Sequence, residues 1–254
     1  MRFEKWQALG NDYLIVEGAG LDPERVRALC DRHHGVGADG VLALAPPDEP
    51  GYVARLRIFN PDGSEAELSG NGARQALLYL RARGWTEAPT FSIQTLAGEI
   101  RGTITGEHTC RTDMGRAAAR FEGEVEGRPF QHITIGNPQT AIRIEDRAEL
   151  EALDLAAVGP PIETADAFPD RTNVSFWTEL APDRIRARIF ERGVGETTAS
   201  GTGACGAAIA HVLRGGDSPV TVELDGGELT VDVDESLHVD LTGWAVPVFR
   251  GELA

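Results

Sequence analysis

Short β-prone runs of apolar residues, each set beside a glycine, punctuate this chain. GNDYLIV (10–16) and GNPQTAI (136–142) each place a Gly-Asn turn before such a run. TFSIQTLAGEI (90–100) and TVELDGGEL (221–229) each read as two strands around a glycine turn, and CRTDMG (110–115) and HVDLTG (238–243) as a strand ending in glycine. The pattern turns helical in RQALLYLRAR (74–83) and CGAAIAHVLR (205–214), which are rich in Ala, Leu and Arg. Further helices are predicted over PERVRALCDRH (23–33) and DRAELEALD (146–154), the latter with Leu150 and Leu153 facing inward. Between the halves, RAAARFEGEVEGR (116–128) carries no clear strand pattern, which places a boundary there.

These elements recur in one order. RIFNPDGSEAELSGNGARQALLYL (57–80) aligns without a gap on RIFERGVGETTASGTGACGAAIAH (188–211), with nine of 24 positions identical at an offset of 131. The chain is therefore an internal duplication. The expected fold is α+β with two pseudo-symmetric domains, 1–117 and 118–254, each a mainly antiparallel sheet or barrel around a central helix. An active site is expected in the cleft between them. The last strand, about 246–254, is expected to pack back on the first half.

In both copies an apolar strand ends in a polar loop, followed by S-G-x-G-A and a helix. The glycines let the backbone turn tightly and approach a ligand, the serine can cap the helix, and the N–H groups behind it can receive an anion. Two such termini would hold one carboxylate and set two side chains on opposite faces of its α-carbon. That suits an enzyme which removes a proton from one face and returns it on the other. The plainer reading makes Ser69 and Ser200 simple caps. The duplication weakens it, because each copy also carries R-I-F and a glutamate four residues before the serine.

Composition narrows the chemistry. In 254 residues the only lysine is Lys5, whose place in an N-terminal strand does not suit a Schiff base, and no G-K-[ST] loop exists. Pyridoxal phosphate and P-loop chemistry drop out. A net charge of −16 argues against a nucleic-acid surface. No apolar run reaches the roughly 20 residues of a membrane span, and the N-terminus lacks a hydrophobic signal segment, so no membrane partner and a cytoplasmic location are expected. The three cysteines, Cys30, Cys110 and Cys205, have no metal-ligand spacing, and no metal is expected. Cys205 reads as a packed thiol, and His33 and His34 as charge partners after a helix.

With both motifs placed, the chain resembles the diaminopimelate epimerase family along essentially its whole length. The resemblance is carried by LGNDYLIVE (9–17), DRHHGVGADGVL (31–42), FNPDGSEAELSGNGAR (59–74), GNPQ (136–139), TNVSF (172–176), ERGVGETTASGTGAC (191–205) and LTG (241–243). It implies an isomerase that inverts an α-carbon of diaminopimelate between LL and meso forms, on the route to lysine and peptidoglycan, with no cofactor and as a homodimer. It implies that Asn11, Asn60, Asn137, Asn173, Glu191 and Arg192 bind the distal end of the substrate or orient the site. Gly70, Asn71, Gly201 and Thr202 would donate to the reacting carboxylate. Plainer readings make the asparagines turn residues and Glu191 with Arg192 a solvated pair.

The family's two acid–base cysteines fall at Ser69 and Ser200, and the histidine of its G-N-P-H segment at Gln139. A thiol near pKa ~8.5 can be tuned to the thiolate, whereas a serine hydroxyl needs a neighbouring base. Glutamine cannot supply one, which leaves Glu191 as the candidate. The serines stand there either by engineered exchange or by natural divergence. Two alternatives accompany the epimerase reading. One is a catalytically silent amino-acid-binding homologue; the other is an isomerase or dehydratase of a different amino or imino acid.

Overall fold

The computed structural model describes residues 1–18 and 20–253. The chain divides into two compact units, Met1–Thr112 with Gly243–Ala254, and Asp113–Thr242. Along the first run lie β1 (Arg2–Ala8), β2 (Asn11–Glu17), α1 (Pro23–Cys30), β3 (Gly40–Ala45), β4 (Arg55–Phe59), β5 (Glu65–Ala66), α2 (Gly70–Ala82), β6 (Thr90–Thr95) and β7 (Gly98–Ile104). β8 (Thr109–Arg116) carries the chain into the second unit. There follow β9 (Ala118–Val125), β10 (Arg128–Ile135), β11 (Asn137–Arg143), α3 (Arg147–Ala152), α4 (Leu155–Glu163), β12 (Asn173–Ala181), β13 (Arg184–Glu191) and β14 (Gly195–Thr197). Then come α5 (Gly201–Leu213), β15 (Val220–Leu224), β16 (Gly227–Val233), β17 (His238–Trp244) and β18 (Val246–Glu252).

The fold is α+β, and the same pairings build each unit. β1 and β2 run antiparallel, β2 and β3 parallel, and β3 and β4 antiparallel; β10 to β13 repeat that series. β4 next pairs antiparallel with β5 and parallel with β6, as β13 does with β14 and β15. The ninth strand of each repeat completes the other repeat's unit. β9 pairs with β10, and β18 pairs with β1, setting Glu252 opposite Arg2. Ala254, the last residue of the strand expected over 246–254, lies outside the described residues.

Each unit closes around one 13-residue helix; the flanks of α5 are almost wholly apolar or small, while α2 also buries Asn71, Arg74 and Gln75. Asn71 through Leu80 of α2 are all buried, as are Gly203 through His211 of α5. Covering helices seal the outer faces. In the second unit Leu150, Leu155 and Ile162 pack on Val174, Phe176 and Phe190, and each such burial stabilises by roughly 2 kcal/mol. In the first, Val26 and Leu29 of α1 pack on Leu14, Val41 and Phe59.

Three local expectations change. The helix predicted over 23–33 ends at Cys30, because the Asp31 carboxylate takes the N–H groups of His33 (2.7 Å) and His34 (2.8 Å) and turns the chain. The span 116–128, expected to lack a strand, contains β9. Six consecutive residues of β9 are exposed, so no alternation marks it, yet its ladder to β10 is regular apart from one shift. The helix α4 was not legible, since Gly159-Pro160-Pro161 reads as a breaker. Gly159 is required there, because a Cβ would lie 2.4 Å from the Phe190 ring. Leu150 is buried as expected, and Leu153 partly so.

Candidate functional site

In the first unit, β4 delivers the chain into a turn built by Asn60. Its backbone N–H donates to the Ser64 carbonyl (2.8 Å) and its amide to Ser64 Oγ (3.0 Å). After β5 the backbone is extended at Ser69 (φ −139) and enters α2, and Ser69 Oγ accepts from the N–H of Gly72 at 3.0 Å. Gly70 and Asn71 follow as the first helical residues, where backbone N–H groups lack partners within the helix. Asn71 Oδ1 accepts from Arg74 (2.5 Å), whose Nε also donates to the Trp244 carbonyl (3.0 Å).

The strand β2 brings a second hydroxyl to Ser69. Tyr13, a buried residue, donates its phenolic O–H to Ser69 Oγ at 3.2 Å. Two positions earlier, Asn11 gives its amide to Asp39 (2.9 Å), and its carbonyl accepts from Gln75 of α2 (3.0 Å). Asp39 belongs to an ion network with Arg32 and Asp12, to which Lys5 adds its ammonium at 2.6 Å from Asp12. Burial pushes the Asp12 carboxyl up, but hydrogen bonds from Arg32 and Lys5 outweigh it and hold it at about 2. The segment 31–39 thus acts as a brace for Asn11.

The second unit repeats the helix entry with different neighbours. Ser200 (φ −133, 4 % exposed) caps α5, accepting from Gly203 N–H at 3.3 Å. Its own hydroxyl donates to Glu191 Oε2 at 3.1 Å. Glu191 ends β13 and keeps part of its surface, but the protein around it desolvates the carboxylate and raises its pKa. The hydroxyls of Thr197 and Ser200 pull the other way without cancelling that rise. At the start of β11, Asn137 donates to Thr202 Oγ1 (3.3 Å) and accepts from Gln139 (2.7 Å). Gln139 is fully buried, packs where a side chain on Gly206 would stand, and leaves its Oε1 without a partner.

A short turn beyond Glu191 is clamped from two sides. Asn173 accepts from the N–H of Arg192 (2.9 Å), and Glu163 from that of Gly193 (2.8 Å), while Glu163 also pairs with Arg171. The Arg192 guanidinium donates to the Asp170 carbonyl at 2.8 Å. The structure therefore joins Ser200 to Glu191, Asn137 to Thr202, and Asn173 to the Arg192 backbone. Gly201 and Thr202 open α5 just as Gly70 and Asn71 open α2. Asn60, by contrast, is engaged within its own turn.

Sequence reasoning did not single out Tyr13, Gln75, Glu163 or Ser175, whose buried hydroxyl donates to the Gly203 carbonyl at 3.0 Å. Only Tyr13 had a readable signal, since it aligns with Gln139 in the repeated Gly-Asn segments. Among the described residues, Asp113, His238 and Asp240 could offer ligand atoms to a metal, all within 4.8 Å of one another. His238 and Asp113 already pair at 3.2 Å. Cys30, Cys110 and Cys205 are buried and join no disulfide, and burial pushes the Cys30 and Cys110 thiols up to about 11. Among the described residues no helix is long and apolar enough to cross a membrane.

Comparison with known proteins covers the whole chain. The family model described as diaminopimelate epimerase matches residues 3–119 and 132–246. A diaminopimelate epimerase of Synechococcus sp. (strain JA-2-3B'a(2-13)) is 41 % identical over 281 residues, spanning 100 % of this chain and 98 % of that protein. One from Pelotomaculum thermopropionicum is 41 % identical over 280 residues, spanning 99 % and 98 %. Among solved structures, a PhzF-family phenazine biosynthesis protein of Bacillus anthracis superposes with TM-score 0.77 at 20 % identity, covering 100 % of this chain and 99 % of the other. That last likeness speaks to the fold alone.

Proposed function

The chain belongs to the diaminopimelate epimerase family of isomerases, and on that premise we propose that it interconverts LL- and meso-diaminopimelate without a cofactor, with Ser69 and Ser200 in the acid–base roles. The observation that carries this reading is the Ser200 hydroxyl donating to Glu191 at 3.1 Å. Serine ionises only transiently and needs an adjacent base, and a carboxylate with a raised pKa is better matched to accept a proton near neutrality than an ordinary one.

The proton balance follows. The α-proton passes to Ser200 Oγ as the hydroxyl's own proton passes to Glu191. The electron pair of the broken C–H bond moves toward the substrate carboxylate. Ser69 delivers its hydroxyl proton to the opposite face of the α-carbon, which completes inversion. Gly70, Asn71, Gly201 and Thr202 supply donors for the carboxylate as its charge grows. Asn11, Asn60, Asn137, Asn173, Glu191 and Arg192 recognise the distal amino-acid end or orient the site, with charges of both signs among them.

A second reading has its own support. Both hydroxyls serve as helix caps, and buried Gln139 cannot take a proton, which is what a silent amino-acid-binding homologue would retain. Incubation with LL-diaminopimelate, followed by chiral chromatography and calorimetry, separates the readings. Appearance of the meso form supports epimerisation. Binding without conversion favours the silent homologue, and absence of binding at millimolar ligand overturns both in favour of another amino or imino acid. The same proposal includes a cytoplasmic homodimer, which light scattering at twice the chain mass would support.

A further inference from the structure

The two copies of S-G-x-G-A are alike in sequence but are wired differently. At Ser69 the oxygen accepts twice, from Gly72 N–H (3.0 Å) and from the Tyr13 phenol (3.2 Å). At Ser200 the oxygen accepts from Gly203 N–H (3.3 Å) and gives its proton to Glu191 (3.1 Å). The aligned residues explain the difference. Tyr13 corresponds to Gln139, whose amide goes to Asn137 instead (2.7 Å). Glu191 corresponds to Asn60, a neutral residue engaged with Ser64. Register supports the match: Tyr13 lies opposite Gly40 in one parallel ladder and Gln139 opposite Asn173 in the other.

We infer that Tyr13 is a positioning residue that fixes Ser69 as the proton-donating hydroxyl of the resting enzyme, the counterpart of the Glu191 contact at Ser200; this rests on the epimerase reading above, which already assigns Ser200 and Glu191 as the accepting side. A hydroxyl that accepts two hydrogen bonds has its own proton left to aim at a substrate carbon. When that proton leaves, the alkoxide keeps the phenolic O–H, the Gly72 N–H and the positive end of α2 as stabilisers. A hydroxyl that donates to a carboxylate is arranged the opposite way: it can take a proton only as it hands one on. The duplicated fold thus carries one acid side and one base side, set by two residues outside the repeated six. Gly40 leaves room for the phenol, since a Cβ there would come within 2.6 Å of the Tyr13 ring.

The test introduces a single thiol as a reporter. Ser69→Cys and Ser200→Cys are made separately, each alone, with Tyr13→Phe and with Glu191→Gln, and thiolate absorbance is followed with pH against the same chain lacking the new cysteine. The Cys30 and Cys110 thiols, pushed up to about 11, stay silent below pH ~9. The thiol at position 69 is expected to titrate below the one at position 200. Tyr13→Phe should raise the former by about one pH unit, the worth of a hydrogen bond to a charged acceptor, and leave the latter alone. Glu191→Gln should lower the thiol at 200 and leave that at 69 alone. Equal shifts at both positions, or none at 69 with Tyr13→Phe, overturn the inference. These titrations need no turnover, so a chain that shows them without epimerising refutes the epimerase reading and not the wiring. Where turnover is seen, Tyr13→Phe should lower kcat about fivefold with KM unchanged, and have no further effect in a Ser69→Ala background.

Discussion

Replacing Glu191 by Gln isolates the base. Glutamine has nearly the same shape and keeps a carbonyl oxygen that can accept from Ser200 across the present 3.1 Å. The cap of α5 and the aim of the Ser200 hydroxyl should therefore survive, and only the capacity to receive a proton is lost. General-base loss typically costs 10²–10⁴-fold, or about 3–5 kcal/mol of barrier, and the loss should fall on kcat. In the unmodified chain, activity should decline as pH drops through the Glu191 pKa, which burial sets above the ordinary carboxylate value. The variant's residual activity should lack that acid limb. Stability moves the other way. A carboxyl whose pKa is raised by folding contributes fully only below its unfolded value, and that contribution fades as pH rises through the folded value. Glu191→Gln should hence melt higher than the parent at pH 7, with the gap closing by about pH 4. Steady-state rates from pH 5 to 9 and thermal melts at pH 7 and pH 4 provide the assay. Activity within threefold of the parent, or an acid limb that persists in the variant, would refute Glu191 as the base.

Two further substitutions probe the frame around the site. Gly159→Ala places a Cβ 2.4 Å from the Phe190 ring, so overpacking of about 1–3 kcal/mol should exceed the helix-propensity gain of at most ~1 kcal/mol and lower the melting temperature; a rise would contradict the packing. Glu163→Ala strips the acceptor from Gly193 N–H and the partner from Arg171, at a cost of roughly 1–3 kcal/mol. Because the loosened turn bears Arg192, KM for diaminopimelate should rise more than kcat falls, and a pure kcat loss would count against a binding role for that turn.

Much of the architecture was legible because the chain writes its plan twice. The repeat from Arg57 and from Arg188 marked both central helices and their caps. Period and glycine placement marked the strands beside them, since burial on one face leaves a trace in sequence. The exposed strand β9 left none, because six neighbouring residues meet solvent and none is constrained to be apolar. Helix α4 was hidden by its own Gly-Pro-Pro, tolerated where Gly159 lies against an aromatic ring. At the site, the serines, Glu191 and Asn137 could be named because their neighbours in sequence are distinctive. Tyr13 could not be assigned a partner: its contact with Ser69 spans 56 positions and depends on strand register, which no local pattern records. The turn that Asn60 builds with Ser64 was equally hidden, since the same residue type serves as a turn former or as a ligand donor.

The most direct measurement follows the α-proton signal of LL-diaminopimelate by proton NMR in deuterated water, with the unmodified chain beside Ser69→Cys/Ser200→Cys. The signal should disappear with the unmodified chain, as the serine pair and Glu191 exchange that proton with solvent, and disappear faster with the cysteine pair. A signal that persists with the serines while the cysteine variant erases it would contradict serine-based inversion and leave an intact binding site without its acid–base pair.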